Sequence, residues 1–516
     1  MQTRRWWMLG VTCLSVLAVA LDLTVLNNAL PEISAALHAG TGDLQWIVDA
    51  YSLAFAGVML AAGLVGDRYG RKRLLLGGLA VFLGASVWCA LSASAGELIA
   101  ARAVLGLGAA IVFPLSLAVV TAEFSDAERP QAISAIVATV AAGLPLGPVV
   151  GGVLLQHFSW ASVFWINVPA AGITLAAGIV LLPESRNPAA PPLDVLGALL
   201  SAGAITCLVW GFINGPQHGW AAPATWGLLS GSAVLLAAFI ARQQSAAHPL
   251  INPAIFADRR FTWGTAATVA VSVALFAVLF TVPQYLQSVA GDDPISAGLR
   301  LLPMTGGLLV AGGIAVPAAR VAGTKLTVAA GLALLAAGLA VLSQVHLTSG
   351  YGFVATGLAL AGLGTGSAIN AAMDSVMAAA GGDEAGAGAS LNSTLRQIGG
   401  AVAVAVLGSI LSASYARGLH PALAGLPARQ AAAAGGSISQ AAQLAARLGG
   451  GSGSALQAAA GAAYLHGMSI VMLICAGVAA VTAIASLRYL PGRAAPDDTP
   501  ALQAPAVAPS ETGTRR

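Results

Sequence analysis

Charge is what this sequence has least of: 23 Lys and Arg with 20 Asp and Glu in 516 residues, 8%, against roughly 25% in a soluble domain. With 57% hydrophobic residues and 62 glycines besides, the chain could not present a surface that water would wet, so most of it is expected in lipid. A net charge of +3 leaves no basic footprint able to release counterions from phosphates, which excludes nucleic acid as a partner. The four cysteines, Cys13, Cys89, Cys207 and Cys475, each lie in an apolar stretch. There a thiol behaves as a small hydrophobe and offers neither a disulfide framework nor a CxxC metal site. GxxxxGK[ST], HExxH and GxSxG patterns are missing, which argues against ATP-driven transport and the commoner hydrolases. The histidines are scattered mostly at span ends, so no catalytic residue, metal or cofactor is expected.

What is present is long uncharged runs. A helix crossing the hydrocarbon core needs about 20 residues and tolerates few charges, so charge-free windows count crossings. Most windows have single length, but 130–183, 195–241 and 326–373 are twice as long, each with a polar break at 156–157, 214–219 or 346–350. The total predicts about fourteen helices. Alternate threading gathers Arg4, Arg5, Arg68, Arg71, Lys72, Arg73, Arg129, Arg186, Arg242, Arg259, Arg260, Arg320, Lys325, Arg396, Arg488 and Arg493 in one set of loops. By the positive-inside rule those loops and both termini are cytoplasmic, in an inner or plasma membrane. Arg417, Arg429 and Arg447 are the exception, in an Ala/Gly/Ser-rich external loop of about 412–462. Arg4-Arg5 and Ala18-Val19-Ala20 imitate a secretory signal, but the apolar run continues past Asp22 to Leu30, so it is read as the first span. Residues 489–516 are rich in Pro, Ala and Thr and are expected to form a disordered tail.

Between the second and third spans stands Gly63-Leu64-Val65-Gly66-Asp67-Arg68-Tyr69-Gly70-Arg71-Lys72-Arg73. Its glycines permit close backbone approach, and an aspartate is favoured at a helix N-terminus. This pattern resembles the GxLaDrxGrk loop of the major facilitator superfamily. There the loop latches the two halves of the transporter, which implies that Asp67 faces a helix end of the second half. Arg71 would face an acid near the inner end of the fourth span, with Glu123, Asp126 and Glu128 as candidates. In the fifth span Gly143-Leu144-Pro145-Leu146-Gly147-Pro148-Val149-Val150-Gly151-Gly152 places Gly143, Gly147 and Gly151 four residues apart, on one helix face where another helix can pack closely. The run is similar to the superfamily's antiporter signature gxxxGPxxGG, which implies export rather than uptake.

Leu21 to Pro31, Phe164 to Pro169, Pro283 to Gln287 with Ala297 to Pro303, and Ala387 to Asn392 leading to Arg396 to Gly400 resemble the fourteen-span drug:proton antiporter branch in particular. The resemblance implies an all-α integral membrane protein of the major facilitator fold. Residues 1–190 would form a six-helix bundle, 191–245 two inserted transmembrane helices, and 246–488 a second six-helix bundle. It also implies transport driven by the proton gradient, with lipid, protons and a small lipophilic substrate as partners. A monomer is expected, and a periplasmic adaptor is left open. The fourth-span motif departs from the family at Leu105, where glutamine is usual, and Arg320 to Lys325 lacks the aspartate of a second latch.

An ionised side chain near the bilayer centre costs at least about 2.5–3.5 kcal/mol and needs a partner, water or a proton. Asp22, about 12 Å before the end of the first span if that span closes at Pro31, Asp49 early in the second and Arg102 early in the fourth would share one depth. These three are the candidates for proton coupling. Asp374, near the inner end of the twelfth span, is a further candidate. Gln284, Tyr285 and Gln287 could line a substrate path or anchor a span end at the interface. The alternatives are an uptake symporter of the same fold and a non-transporting sensor or membrane enzyme.

Overall fold

In the computed structural model residues 2–124, 128–185, 194–246 and 253–491 are described. Among them all regular structure is helical, as lipid requires of a chain whose backbone groups cannot turn to water. In chain order the helices are α1 (Gln2–Ala36), α2 (Thr41–Tyr69), α3 (Arg71–Leu91), α4 (Ala95–Glu123), α5 (Arg129–His157), a short α6 (Ser162–Trp165), α7 (Asn167–Leu181), α8 (Val195–His218) and α9 (Pro223–Ser245). They continue with α10 (Arg259–Ser288), α11 (Pro294–Arg300), α12 (Leu302–Ala322), α13 (Thr324–Leu342), α14 (Tyr351–Leu419), α15 (Ala428–Gly436), α16 (Ile438–Leu448) and α17 (Gly450–Tyr489). Short polar caps start several of them: Ser94, Asp194 and Asp293 each accept a backbone N–H of the following first turn, satisfying donors that a helix start leaves open.

Twelve helical segments are long and apolar enough to cross a membrane among the described residues, where the charge-free windows predict about fourteen. Two further long helices are α2 and α5, of which Leu146–His157 is a shorter apolar stretch. The breaks expected inside the double windows fall where α5 ends, where α8 passes to α9 and where α13 passes to α14. α14 departs from expectation. It holds two apolar segments, Tyr351–Ala379 and Leu391–Leu423, and helical backbone rather than an open loop links them. Asn392 Nδ2 donates to Met373 Sδ at 3.3 Å, although 19 residues of straight helix would separate them by about 28 Å. The helix therefore doubles back between its two apolar halves. The expected external loop is a second departure. Its middle forms α15 and α16, because alanine-rich sequence favours helix and Ile438, Ala441 and Ala445 make a buried face on α16. Of the expected tail, 489–516, Tyr489 still belongs to α17, and residues 492–516 lie outside the described residues.

The helices fall into two packed groups, α1 to α7 and α10 to α17, while α8 touches both α2 and α14 and carries α9 on its far side. The face with the start of α1 and the end of α17 also holds the α2–α3 turn and the end of α7, where Arg4 donates to Leu181 O at 2.9 Å. On the opposite face the groups meet. Gln287 Nε2 donates to Asn28 O at 2.9 Å, Gln45 Nε2 to Ala405 O at 3.0 Å, Gln440 Nε2 to Ala39 O at 3.0 Å, and Ser34 and Ser437 hydroxyls lie 2.8 Å apart. α16 thus lies across the seam, touching α1 on one side and α10 and α17 on the other.

Candidate functional site

Within the first group three helices bring charge together. α1 runs on through Pro31 to Ala36, so Asp22 lies about 21 Å from that end of the helix, nearer the middle than expected. Its Oδ2 receives Arg102 Nη1 from α4 at 2.6 Å, and its Oδ1 receives Asn167 Nδ2 from the start of α7 at 2.9 Å. Arg102 Nε donates to Ile47 O of α2 at 3.0 Å, and the guanidinium lies 4.3 Å from the centroid of the Tyr51 ring. Both charged side chains are only 2% exposed. A buried pair holds only when its remaining lone pairs and protons are satisfied; here Asn167, a backbone carbonyl and an aromatic face supply that.

Asp49 stands beside this network and outside it. It is fully buried, and neither carboxylate oxygen has a hydrogen-bond partner among the described residues. It is one helical turn from Gln45 and one from Leu53, on the same face of α2. Gln45 bonds α14, and Leu53 packs with Ala401 and Ala405 of α14, so Asp49 belongs to the seam between the two groups. Asp374 is not drawn into this cluster: it is exposed on the first half of α14. Arg396 departs from its expected loop position. It sits inside the second apolar segment of α14 and donates from Nε to Ser272 of α10 at 3.1 Å.

The α2–α3 turn is built as its glycines suggest, with one exception. Gly70 adopts φ +123° and lies against the Glu184 carboxylate, and a Cβ on Gly66 would collide with Leu115 of α4. Among the described residues nothing lies within 4 Å of a Cβ on Gly63, so close approach does not require glycine there. Arg71 Nη1 donates to Ala118 O of α4 at 3.2 Å, and the Lys72 ammonium to Ile179 O at 2.8 Å. Glu184 accepts from the Lys72 backbone N–H at 3.2 Å and pairs with Arg73 at 3.4 Å; the sequence reading missed it. Arg68 is exposed, its guanidinium 5.9 Å from the Tyr69 ring centroid. Glu128 pairs with Arg5 at 3.8 Å. The Asp67 side chain and Asp126 lie outside the described residues.

The α5 glycines face α1. A Cβ on Gly143 would come within 2.6 Å of the Ala20 methyl, one on Gly147 would overlap the Thr24 hydroxyl, and one on Gly151 would stand 3.2 Å from Val25 O. Asn28 Nδ2 donates to Pro148 O at 2.8 Å, and Gly152 packs on Pro294 O of α11 across the seam. The Pro145 ring lies outside the described residues. On α10, Gln284 bonds its own helix at Phe280 O, Gln287 closes the seam, and Tyr285 lines a cavity with Arg300 and Tyr351. These three therefore do not form one continuous path.

Many apolar crossings packed around a sealed pair of opposite charges define a class, a multi-pass membrane protein. Residues 12–404 match the Major Facilitator Superfamily, and the chain belongs to it; it is a transporter rather than an enzyme. It is 33% identical over 512 residues to the tetracenomycin C resistance and export protein of Streptomyces glaucescens, covering 96% of this chain and 94% of that one. It is 35% identical to the multidrug efflux pump LfrA of Mycolicibacterium smegmatis, covering 94% and 97%. With the methyl viologen resistance protein SmvA of Salmonella typhimurium it shares 34% identity over 91% and 95%. Among solved structures, an inward-facing, unoccupied bacterial homologue of the human lysosomal transporter Spinster superposes with TM-score 0.64 at 15% identity, covering 95% of this chain and 98% of that one. At that identity the likeness speaks for the fold.

Proposed function

We propose that this chain is a proton-coupled exporter that moves lipophilic drugs, cationic ones among them, out of the cell by alternating access. Export of drugs rests on relatives that match nearly the whole chain and carry resistance, export or efflux in their names. In this reading α2 and α5 also cross the membrane, giving fourteen spans: bundles at 1–190 and 246–488, with an inserted pair at 191–245. Both termini are cytoplasmic, and the face sealed by Gln287, Gln45 and α16 is external. The α2–α3 turn with Asp67 and Arg71 is the latch of the opposite conformer.

The observation that carries the coupling is Asp49, sealed in the seam without a partner. Burying an ionised carboxylate costs far more than burying a neutral acid, so the closed seam is compatible with a proton there. Opening the seam to the outside lets water and protons reach the group. Asp22, held by Arg102 and Asn167, keeps the neighbouring charge fixed. An inward-moving proton supplies about 2.3 kcal/mol per 100 mV. The test is dye efflux from proteoliposomes under an imposed pH gradient. Asp49→Asn should lose acceleration by the gradient while still exchanging dye down its own gradient; gradient-driven efflux at the normal rate in that variant would overturn the assignment.

A further inference from the structure

The second helix group carries a polar cluster that the coupling scheme leaves unused. Along α10, Thr265, Thr268 and Ser272 share one face, and all three are buried. From the second half of α14, Asn392 Oδ1 accepts from Thr268 Oγ1 at 2.7 Å and Arg396 Nε reaches Ser272 Oγ at 3.1 Å. Among the described residues the Thr265 hydroxyl is buried without a partner. Arg396 lies within the apolar segment Leu391–Leu423 of α14, and its side chain is half-buried. Among the described residues its polar partner is a neutral hydroxyl, and no carboxylate pairs with it.

A guanidinium within a membrane segment needs a counter-charge or water, and its fork of donors suits the two oxygens of a carboxylate. In the first group Arg102 has that partner in Asp22; among the described residues Arg396 has none. We propose that Arg396, oriented by Ser272 and flanked by the Asn392–Thr268 pair, is a substrate subsite for an acidic group, a carboxylate or an ionised phenol or enol oxygen. The exporter then accepts lipophilic acids and zwitterions in addition to cations. This inference rests on the export reading above and adds a substrate class to it.

The test uses a matched pair of probes, a xanthene dye with a free carboxylate and its methyl ester, in proteoliposomes of the full chain. Arg396→Gln should reduce efflux and binding of the acid tenfold or more while leaving the ester within about twofold, since a charge-assisted, two-oxygen contact is lost only for the acid. Arg396→Lys should recover part of the acid's efflux. Ser272→Ala, which keeps every charge, should give a smaller loss confined to the acid and serves if Arg396→Gln does not fold. Inorganic phosphate and chloride should not compete with the acid at millimolar concentration; competition would mean a general anion site and overturn the substrate assignment. Equal losses for both dyes, or no loss for the acid, would also overturn it. Ester efflux in the same vesicles reports on the export reading separately.

Discussion

At the scale of single residues, the Asp22–Arg102 pair sets what substitution costs. Replacing one member of a buried ion pair leaves the other charge uncompensated, with a penalty of about 3–5 kcal/mol. Asp22→Asn should therefore lower the thermal unfolding midpoint of the purified protein, and Arg102→Met in the same chain should restore part of it by removing the orphaned guanidinium. If the double variant is no more stable than Asp22→Asn alone, the pair is not the source of the loss. Asp22, Asp49 and Arg102 were legible in the sequence because charge inside an apolar window is rare enough to stand out. Asn167, the Ile47 carbonyl and Glu184 were not, although Asn167 lies in a stretch singled out for its resemblance. A neutral amide or a backbone carbonyl has no signature in one sequence, and a partner more than a hundred residues away, as Glu184 is from Lys72, is paired only by the fold.

Among elements, the glycines of α5 and α2 make opposite predictions from the same residue type. Gly147→Val must push α5 away from Thr24 of α1, and overpacking of that kind costs about 1–3 kcal/mol. It should reduce both the yield of folded protein and efflux. Gly63→Ala meets nothing within 4 Å and removes a flexible residue from a helix, which should raise stability by about 0.5–1 kcal/mol; a loss in thermal unfolding would contradict the open space seen there. The start of α8 gives a pH dependence. Burial alone would raise the Asp194 carboxyl, but the Gly197 N–H, Arg242 and Gln243 outweigh it and hold the pKa below the usual carboxylate value. A depressed folded pKa contributes stability above the unfolded value, near pH 4, that is lost as pH falls through the folded one. Wild type should therefore lose more stability than Asp194→Asn between about pH 4 and 2 in detergent. The breaks inside the double windows were legible because polar turn residues interrupt them. The persistence of helix through the turn between the two halves of α14 was not, since hydropathy counts apolar segments without saying whether the helix breaks between them. Nor were α15 and α16, whose small residues read as loop until Ile438 and its neighbours find a surface to cover.

For the whole molecule the question is whether the seam must open. The two helix groups are joined on the sealed face by hydrogen bonds and by α16, and each such bond contributes only about 0.5–1.5 kcal/mol net, a range that a transport cycle can break and remake. Ser34 of α1 and Ser437, at the start of α16, are both buried with hydroxyls 2.8 Å apart, which makes them the pair to exchange for cysteines. Ser34→Cys with Ser437→Cys, oxidised in proteoliposomes, should tie α16 to α1 across the seam and stop gradient-driven efflux, while the reduced protein should work near the normal rate. Neither single variant should respond to oxidant. Cross-linked protein should still bind dye added from the side of the α2–α3 turn, because in the proposed cycle the sealed conformer takes substrate there. Efflux that continues at full rate when the cross-link is complete would mean that substrate leaves without separation of α16 from α1. Alternating access through this seam would then have to be abandoned in favour of a path elsewhere between the groups.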